Sequence, residues 1–293
     1  MTARARRLTV VSGKGGTGKT ITSASFALLA GDAVTVDCDV DAADLHLLLQ
    51  PETIERHQFV GGRVAARDAA ACTDCGLCRE VCRFDAIRPD FDVEDVGCEG
   101  CGFCARVCPT GAMKMVERAN GEWFVSRTRC GTLVHARLGP AEENSGKLVT
   151  AVRNRAHEIA DEQSARRVIA DGPPGIGCPT IAAITGADCV LAVTEPTPSG
   201  IHDLARLRAV VARFNLPMGC IVNRYDINES VTGDIEAWCR ANAVTVIGRV
   251  PYDRAVVRAM LAGKAPVESE PGPARAAIES AWKETARWLD RTD

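Results

Sequence analysis

The chain has 293 residues, of which 46% are hydrophobic and 25% are charged, as in an ordinary soluble protein with one large domain or one large domain and a small insert. Its formal net charge of -3 gives no reason to expect nucleic acid or an anionic membrane as a partner. No stretch approaches the roughly 18 apolar residues of a membrane span, and no signal-peptide run follows the basic start, so the sequence predicts a cytoplasmic protein without stable membrane insertion.

The first predicted elements are a short buried strand at 8–12, a glycine-rich loop, and a helix of small and apolar residues at 20–30. A second buried strand at 33–39 ends in acidic residues. The same rhythm returns later, with a strand that ends at Asp171, another at 190–194, and two more in "MGCIVN" and "VTVIGRVP". Continuous apolar strands that alternate with helical patterns predict an α/β fold with a doubly wound, mainly parallel sheet.

The region 66–118 breaks this rhythm and contains an internal repeat. The sequence "CTDCGLCREVCRFDAI" at 72–87 returns at 98–113 as "CEGCGFCARVCPTGAM", and eight of the fourteen cysteines fall in these two copies. In a chain without a signal peptide such clustering indicates metal ligands and not disulfides. We therefore interpret 66–118 as a small inserted α+β domain that divides the larger domain into 1–65 and 119–293.

A phosphate-binding pattern lies between the first strand and the first helix. The stretch "GKGGTGKT" matches G-x-x-x-x-G-K-[ST], whose backbone N–H groups cradle phosphates at a helix N-terminus. Lys19 should contact the β- and γ-phosphates, and the Thr20 hydroxyl should coordinate Mg²⁺. The predicted nucleotide-binding residues of this loop and the helix after it are Gly13, Gly15, Gly16, Thr17, Gly18, Lys19, Thr20 and Ile21.

A second lysine, Lys14, directly follows the first glycine, where a phosphate loop does not require one. With this lysine, "KGGTGKT" resembles the deviant Walker A loop of the MinD/ParA/Mrp superfamily of P-loop ATPases, which includes the nitrogenase iron protein. The resemblance implies an ATP-hydrolysing homodimer with the nucleotides between its subunits. It also implies that Lys14 reaches the partner's nucleotide and stabilises charge on the transferring phosphoryl group, as an arginine finger would.

The other motifs of this superfamily can be placed on the same resemblance. Asp39, in "VDCDVDAADLH", resembles the residue that orients the attacking water, with Asp37 and Asp44 as further contributors. Asp171, in "VIADGPPGIG", resembles the Walker B acid that holds a Mg²⁺-bound water. Lys14, Lys19, Asp39 and Asp171 are thus the expected catalytic residues. The residues expected around the base of ATP or ADP are Asn223, Arg224, Pro251 and Tyr252.

The cysteine spacing C-x₂-C-x₂-C-x₃-C is that of bacterial ferredoxins, in which the fourth cysteine of each run serves the other cluster. The resemblance implies two [4Fe–4S] clusters, whereas zinc would need two C-x₂-C pairs separated by a longer loop. Arg83 replaces the proline expected after the fourth cysteine of the first run, and its charge would raise the potential of that cluster. The expected ligands are Cys72, Cys75, Cys78 and Cys108 for the first cluster, and Cys98, Cys101, Cys104 and Cys82 for the second.

The main functional hypothesis is that ATP hydrolysis is coupled to electron transfer through the two clusters to an unidentified redox or iron–sulfur partner protein. An Mrp-like iron–sulfur carrier and a MinD-like positioning ATPase are the alternatives. No C-x-x-C pair follows Cys108, and no basic membrane helix is evident near the C-terminus, which argues against each in turn. Cys178 occupies a position like that of a cluster ligand in the nitrogenase iron protein, with Cys130 as a candidate second ligand to a cluster bridging two subunits.

Overall fold

A computed structural model of the chain describes residues 4–139 and 145–291. These residues form two compact units. The larger unit comprises the described residues of Met1–Arg56, Trp123–Arg137 and Ser145–Asp293, and the smaller unit comprises those of His57–Glu122 and Leu138–Asn144. The insert proposed at 66–118 lies inside the smaller unit, which begins earlier and ends later than the cysteine pattern indicates.

Strands and helices alternate through most of the described chain. In sequence order they are β1 (Arg6–Ser12), α1 (Lys19–Ala30), β2 (Ala33–Asp37), α2 (Leu45–Leu49), β3 (Glu52–Arg67), α3 (Leu77–Glu80), α4 (Phe103–Val107), β4 (Met113–Thr128), β5 (Gly131–Leu138), α5 (Ser145–Glu162), β6 (Arg167–Pro174), α6 (Cys178–Ile184), β7 (Cys189–Thr194), α7 (Pro198–Ala212), β8 (Met218–Asn223), α8 (Glu229–Ala241), β9 (Thr245–Val250), α9 (Arg254–Leu261) and α10 (Pro273–Arg291).

The sheet of the larger unit confirms the predicted α/β fold. Its strands lie in the order β5-β2-β6-β1-β7-β8-β9, and every neighbouring pair in this series is parallel. The chain leaves β1 for β2 on one side and reaches β7 and β8 on the other, so the strand order reverses at β1. Ligands bind at such a switch point, beyond the carboxyl ends of the strands, in open α/β sheets.

Two hydrophobic cores cover the two faces of this sheet. Leu191 and Val193 of β7 face one core, which includes Phe26 of α1 and Trp282 of α10 with ring centroids 5.1 Å apart. Val190 and Ala192 face the other core, to which α7 and α8 contribute. Because α10 places its apolar side in the first core, it does not present a free apolar face. Within the described residues no helix combines the length and the hydropathy that a membrane span requires.

The strands β3, β4 and β5 have no counterpart among the elements predicted from the sequence. Most side chains of β3 are exposed or half-buried, and β4 is buried at only a few positions. Strands with so little apolar alternation give no period-2 signal. Three of the divisions between the two units fall within β3, β4 and β5, and not in linkers, which explains why a change in composition did not mark them.

The smaller unit repeats its backbone at the spacing of its sequence repeat. Three pairs of residues with positive φ are each 26 positions apart: Asp74 and Gly100 at 52° and 63°, Gly76 and Gly102 at 79° and 73°, and Asp85 and Gly111 at 50° and 67°. The helices α3 and α4 begin directly after the second pair. The two copies of the sequence therefore fold alike.

Backbone hydrogen bonds also join each copy of the repeat to the other. The backbone N–H of Asp68 donates to Ala112 O at 2.8 Å, and that of Glu94 donates to Ala86 O at 2.8 Å, again 26 residues apart on both sides. Each bond joins the segment before one cysteine run to the segment after the other run. The unit thus has an internal twofold relation in which each half completes the other.

Two histidines of the larger unit make its stability sensitive to acid. Burial, and then the charge of His46, lowers the pKa of His135 to about 4, and burial followed by Arg7 does the same for His157. Each histidine binds a proton near pH 6.5 in the unfolded chain but only near pH 4 in the folded chain, so the contribution of these two histidines to the free energy of unfolding should fall as the pH drops from 6.5 toward 4. Each pH unit costs at most about 1.4 kcal/mol per histidine.

Urea denaturation at pH 7 and pH 5 tests this expectation. His157→Gln should make the free energy of unfolding less dependent on pH over that interval, whereas His202→Gln, at a side chain that is 73% exposed, should not. Equal pH dependence in all three proteins would contradict the assignment.

Candidate functional site

The predicted phosphate loop joins β1 to α1 at the switch point of the sheet. Lys19 is the first residue of α1 and is buried, and Gly18 before it has a φ of 93° that favours glycine. A Cβ atom on Gly18 would collide with Nδ2 of Asn223, and one on Gly13 would collide with Asp203. Open space surrounds Gly15 and Gly16, so the loop exposes backbone and not side chains. These features form a cradle for an anionic ligand.

The Lys19 ammonium lies between two carboxylates from neighbouring strands. Its Nζ is 3.3 Å from Asp39 Oδ2 and 3.3 Å from Asp171 Oδ1. The acids meet because β2 and β6 are parallel and Asp37 pairs in register with Asp171, so both strands end at the same edge. The Ser23 hydroxyl donates to Asp171 Oδ1 at 2.8 Å. Ser23 lies one helical turn after Lys19, a spacing that could have indicated its role.

Asp37 supports the site without facing outward. It is completely buried and accepts hydrogen bonds from the backbone N–H groups of Asp39 at 3.0 Å and Leu45 at 3.1 Å. It thereby fixes the loop that carries Asp39. Asp44, a further candidate from the sequence, precedes α2 and makes no side-chain hydrogen bond to its first turn.

Negative charge exceeds positive charge around Lys19. Burial lowers the pKa of Lys19, but Asp171 and Asp39 raise it by more, so the ammonium stays charged. Burial, and then repulsion from Asp171, raises the pKa of Asp37 well above its usual range, and burial raises that of Asp39. A divalent cation would relieve this excess, and carboxylate and hydroxyl oxygens are the ligands that Mg²⁺ prefers. The residues present therefore fit Mg²⁺ beside Thr20 and Asp171.

A cavity beside the phosphate loop contains the residues expected around the base. The Asn223 side chain also holds the loop, since its Nδ2 donates to Thr17 O at 2.8 Å. Val257 belongs to the stretch at 250–267 that the resemblance places against the base, whereas Ile278 adds apolar surface that the sequence did not predict. The predicted residues that line the cavity are Gly18, Ile21, Asn223, Arg224, Pro251 and Tyr252.

The structure does not bring Lys14 to the carboxylates around Lys19. Its Nζ lies 3.4 Å from Thr197 Oγ1 and 3.5 Å from Ser199 Oγ at the start of α7, and 3.7 Å from Glu195 Oε2. One third of its side chain is exposed. Glu195 also pairs with Arg224 and has no signal in the sequence, because it follows β7 in a stretch without a motif. The Lys14 ammonium group thus contacts the start of α7 and Glu195, and not the carboxylates that surround Lys19.

The eight clustered cysteines line two separate cavities of the smaller unit. Cys72, Cys75, Cys78 and Cys108 line one, which we name cysteine site 1. Cys98, Cys101, Cys104 and Cys82 line the other, cysteine site 2. The fourth cysteine of each run therefore joins the first three of the other run. This is the crossed arrangement expected from the ferredoxin-like spacing.

Four thiols in an apolar cavity fit a [4Fe–4S] cluster. Phe91 and Met113 line site 1, and Phe84 and Phe103 line site 2. Soft thiolate ligands select iron–sulfur clusters or zinc, and four of them line each cavity, beside one carboxylate residue in each, Asp74 in site 1 and Glu99 in site 2. Among the residues described, no group of three or more His, Cys, Asp or Glu side chains is arranged around a single ion. Four thiols per cavity are the number that a [4Fe–4S] cluster requires.

The neighbours of the two sites differ. At site 1 the Cys72 thiol donates to Asp74 Oδ1 at 3.4 Å, and Cys108 Sγ lies 3.7 Å from Thr110 Oγ1. The backbone N–H of Met113, with further donors at Thr110, lowers the pKa of Cys108 to about 7. At site 2 the backbone N–H of Ala65 donates to Cys98 Sγ at 3.5 Å. Site 1 is the more polar of the two.

Arg83 does not have the role that the sequence suggested. It is exposed and is not among the residues that line site 2, so water screens its charge. The missing proline does not alter the turn either, because Asp85 adopts the left-handed conformation that Gly111 adopts in the other copy.

The hypothesis of a cluster bridging two subunits does not fit the positions of its cysteines. Cys178 is exposed at the start of α6, but Cys130 is only 4% exposed, between β4 and β5. A ligand to a group shared by two subunits must reach the surface. Cys130 is therefore not a second ligand to such a group.

Comparison with known proteins identifies the family. The family model described as CobQ/CobB/MinD/ParA nucleotide binding domain matches residues 8–267. An uncharacterized protein of Methanocaldococcus jannaschii is 33% identical over 228 residues, 76% of this chain and 79% of its own length. An uncharacterized ATP-binding protein of that organism is 28% identical over 270 residues, 90% of this chain and 80% of its own.

A solved structure shares the fold. The septum site-determining protein MinD of Pyrococcus horikoshii OT3, complexed with Mg-ADP, is similar with a TM-score of 0.61 at 17% identity, over 99% of both chains. Together with the phosphate loop after β1 and the acids at the carboxyl ends of β2 and β6, these matches confirm the MinD/ParA type of P-loop nucleotide-binding protein that the sequence predicts. The chain belongs to the CobQ/CobB/MinD/ParA family of nucleotide-binding P-loop proteins.

Proposed function

We propose that the chain is a Mg²⁺-dependent ATPase of the MinD/ParA type that acts as a homodimer and carries two [4Fe–4S] clusters. The convergence of Asp39 and Asp171 on Lys19, at the end of the phosphate loop, carries the ATPase part of the proposal. The choice of ATP and ADP is supported by the ATP-binding relative and by the MinD structure with Mg-ADP.

Each residue around the loop would have a distinct task. Lys19 would exchange its carboxylate partners for the β- and γ-phosphates, and the Thr20 hydroxyl and Asp171 would hold Mg²⁺ directly and through water. Asp39, held by Asp37, would orient a water whose oxygen attacks the γ-phosphorus as the bond to the ADP oxygen breaks. The cavity around Asn223 would bind the base. Lys14 would complete the site of the partner subunit.

The sorting of cysteines into two cavities carries the iron–sulfur part of the proposal. Each cavity contains four thiols drawn from both copies of the repeat, as crossed ligation requires. When bound, each cluster supplies a one-electron redox couple. The protein's contribution is to hold the thiolates in an apolar pocket and to set that couple through nearby hydrogen bonds and charges.

The comparisons support a MinD-like role for ATP hydrolysis better than they support coupling to electron transfer. The family model and the solved structure concern nucleotide-binding proteins of that type. The eight cysteines are the observation that favours the second candidate, ATP-coupled electron transfer to a redox partner protein, because a positioning ATPase does not need them. The Mrp-like carrier has no comparable support, since every clustered cysteine belongs to one of the two cavities.

ATP hydrolysis by the purified chain tests the proposed function. Hydrolysis should require Mg²⁺, and Asp39→Asn should lower kcat by about 100-fold or more while ATP still binds, because the water loses the group that orients it. Asp32→Asn, at an exposed carboxylate just before β2, is the matched control and should keep its activity. A chain that binds no ATP, or an Asp39→Asn variant with full activity, would contradict the proposal.

A further inference from the structure

The internal repeat gives each cysteine site equivalent positions, but two of these positions differ in chemistry. Arg67 and Val93 are 26 residues apart, and each directly precedes a residue of the matching backbone hydrogen bonds from Asp68 and Glu94. Thr110 and Phe84 are also 26 apart, and each lies two residues after a fourth cysteine. Site 1 therefore has an arginine and a hydroxyl where site 2 has a valine and a phenyl ring.

Two carboxylates hold the Arg67 guanidinium beside site 1. Its Nη1 lies 3.6 Å from Asp74 Oδ1, and its Nη2 lies 3.2 Å from Asp92 Oδ1. The Arg67 side chain is only 19% exposed, while those of Asp74 and Asp92 are 68% and 55% exposed. The cation is thus covered by protein, and the two anions face solvent that screens them.

One N–H group of the Arg67 guanidinium, at Nε, is not bonded to either carboxylate. The Nε of Arg67 is buried and has no hydrogen-bond partner among the residues that the structure describes. Cys72, a cysteine of site 1, lies within interaction range of the same guanidinium. A sulfur acceptor at site 1 would satisfy the buried N–H group, and a cysteine of the first run is already its neighbour.

We propose that Arg67 makes the two cysteine sites electronically inequivalent by raising the reduction potential of the cluster at site 1. This inference rests on the proposed [4Fe–4S] clusters. An N–H donor to sulfur and a largely buried positive charge both stabilise the reduced state of a cluster relative to its oxidised state. Both are established means by which a protein sets the reduction potential of its cluster. Thr110 raises the same potential by less, through its hydroxyl group beside the Cys108 sulfur. The equivalent residues at site 2, Val93 and Phe84, supply neither a positive charge nor a hydroxyl group.

An anaerobic redox titration of the full, reconstituted chain, followed by EPR, tests the proposal. The wild-type protein should show two midpoint potentials. Arg67→Met should lower one of these midpoint potentials. At a fixed potential, the ratio of reduced to oxidised cluster should then fall by about tenfold or more, and a tenfold fall corresponds to a shift of about 59 mV for a one-electron couple. Arg67→Lys, which keeps the charge, should restore most of that potential. Thr110→Val should lower the same potential by less.

Phe84→Leu is the matched control, because it alters the equivalent position of site 2 and should leave the Arg67-dependent potential unchanged. Iron and sulfide contents establish that each variant retains both clusters. The inference is overturned if Arg67→Met moves neither potential or moves both equally, or if Thr110→Val moves the other one. A chain that binds no iron after reconstitution overturns the proposed clusters themselves, and the inference with them.

Discussion

Lys14→Ala should reduce kcat for ATP hydrolysis by about 10³-fold or more and leave ATP binding nearly unchanged, because a cation supplied to a phosphoryl-transfer site contributes about that much. Within the same chain, the Lys14 ammonium group contacts Thr197, Ser199 and Glu195. None of these belongs to the phosphate loop. The binding site should therefore survive the substitution, and the catalytic charge alone should be lost.

Mixing two inactive variants distinguishes action within a subunit from action across a dimer. In a dimer of Lys14→Ala with Asp39→Asn, the Lys14→Ala subunit has an intact Asp39 and receives Lys14 from its partner. Random pairing should then restore up to about a quarter of the wild-type sites, since half of the dimers are mixed and each has one complete site. ATPase rates across a mixing series measure this recovery.

A variant at another lysine of the larger unit shows whether a loss of ATPase activity is specific to Lys14. Lys264→Ala removes a lysine that lies outside the phosphate loop and should retain full activity. If Lys14→Ala is as active as wild type, or if mixing restores nothing although the dimers exchange subunits, Lys14 does not act across the interface.

The nucleotide-binding part of the fold could be predicted because each of its motifs follows a buried strand. Fully buried, mostly apolar strands such as β2 and β7 give a strong signal, and parallel strands bring residues at their carboxyl ends together whatever lies between them in sequence. Asp39 and Asp171 are 132 residues apart, yet sequence position relative to β2 and β6 was enough to place them at one edge.

Contacts made by side chains outside the motifs could not be predicted in this way. The tether between Lys14 and Glu195 depends on how α7 packs beside the phosphate loop, which no local pattern encodes. The half-exposed strands β3 and β4 lack the alternation that marks a strand. Arg67 lies outside the cysteine pattern, and only extending the repeat backward, so that it aligns with Val93, would have shown the asymmetry.

In double cysteine variants, the loss of iron should depend on which cavity each substituted cysteine lines, and not on which of the two cysteine runs it belongs to. Cys72→Ser with Cys108→Ser damages site 1 alone, so about four of eight iron atoms should remain after reconstitution. Cys72→Ser with Cys82→Ser damages both sites, so nearly all iron should be lost. Each double variant removes two of the eight clustered cysteines, and the difference between them depends only on which cavity the second cysteine lines.

Iron and sulfide analysis of both double variants, beside a Cys178→Ser control, decides between crossed and sequential ligation. Cys178 is exposed outside both cavities, so its loss should not change the iron content. Sequential ligation predicts the reverse order, with half of the iron kept by the Cys72/Cys82 variant and almost none by the Cys72/Cys108 variant. ATP binding by the larger unit serves as the check on folding. Equal iron in every variant, or zinc in place of iron, would contradict the assignment of these eight thiols to two [4Fe–4S] clusters.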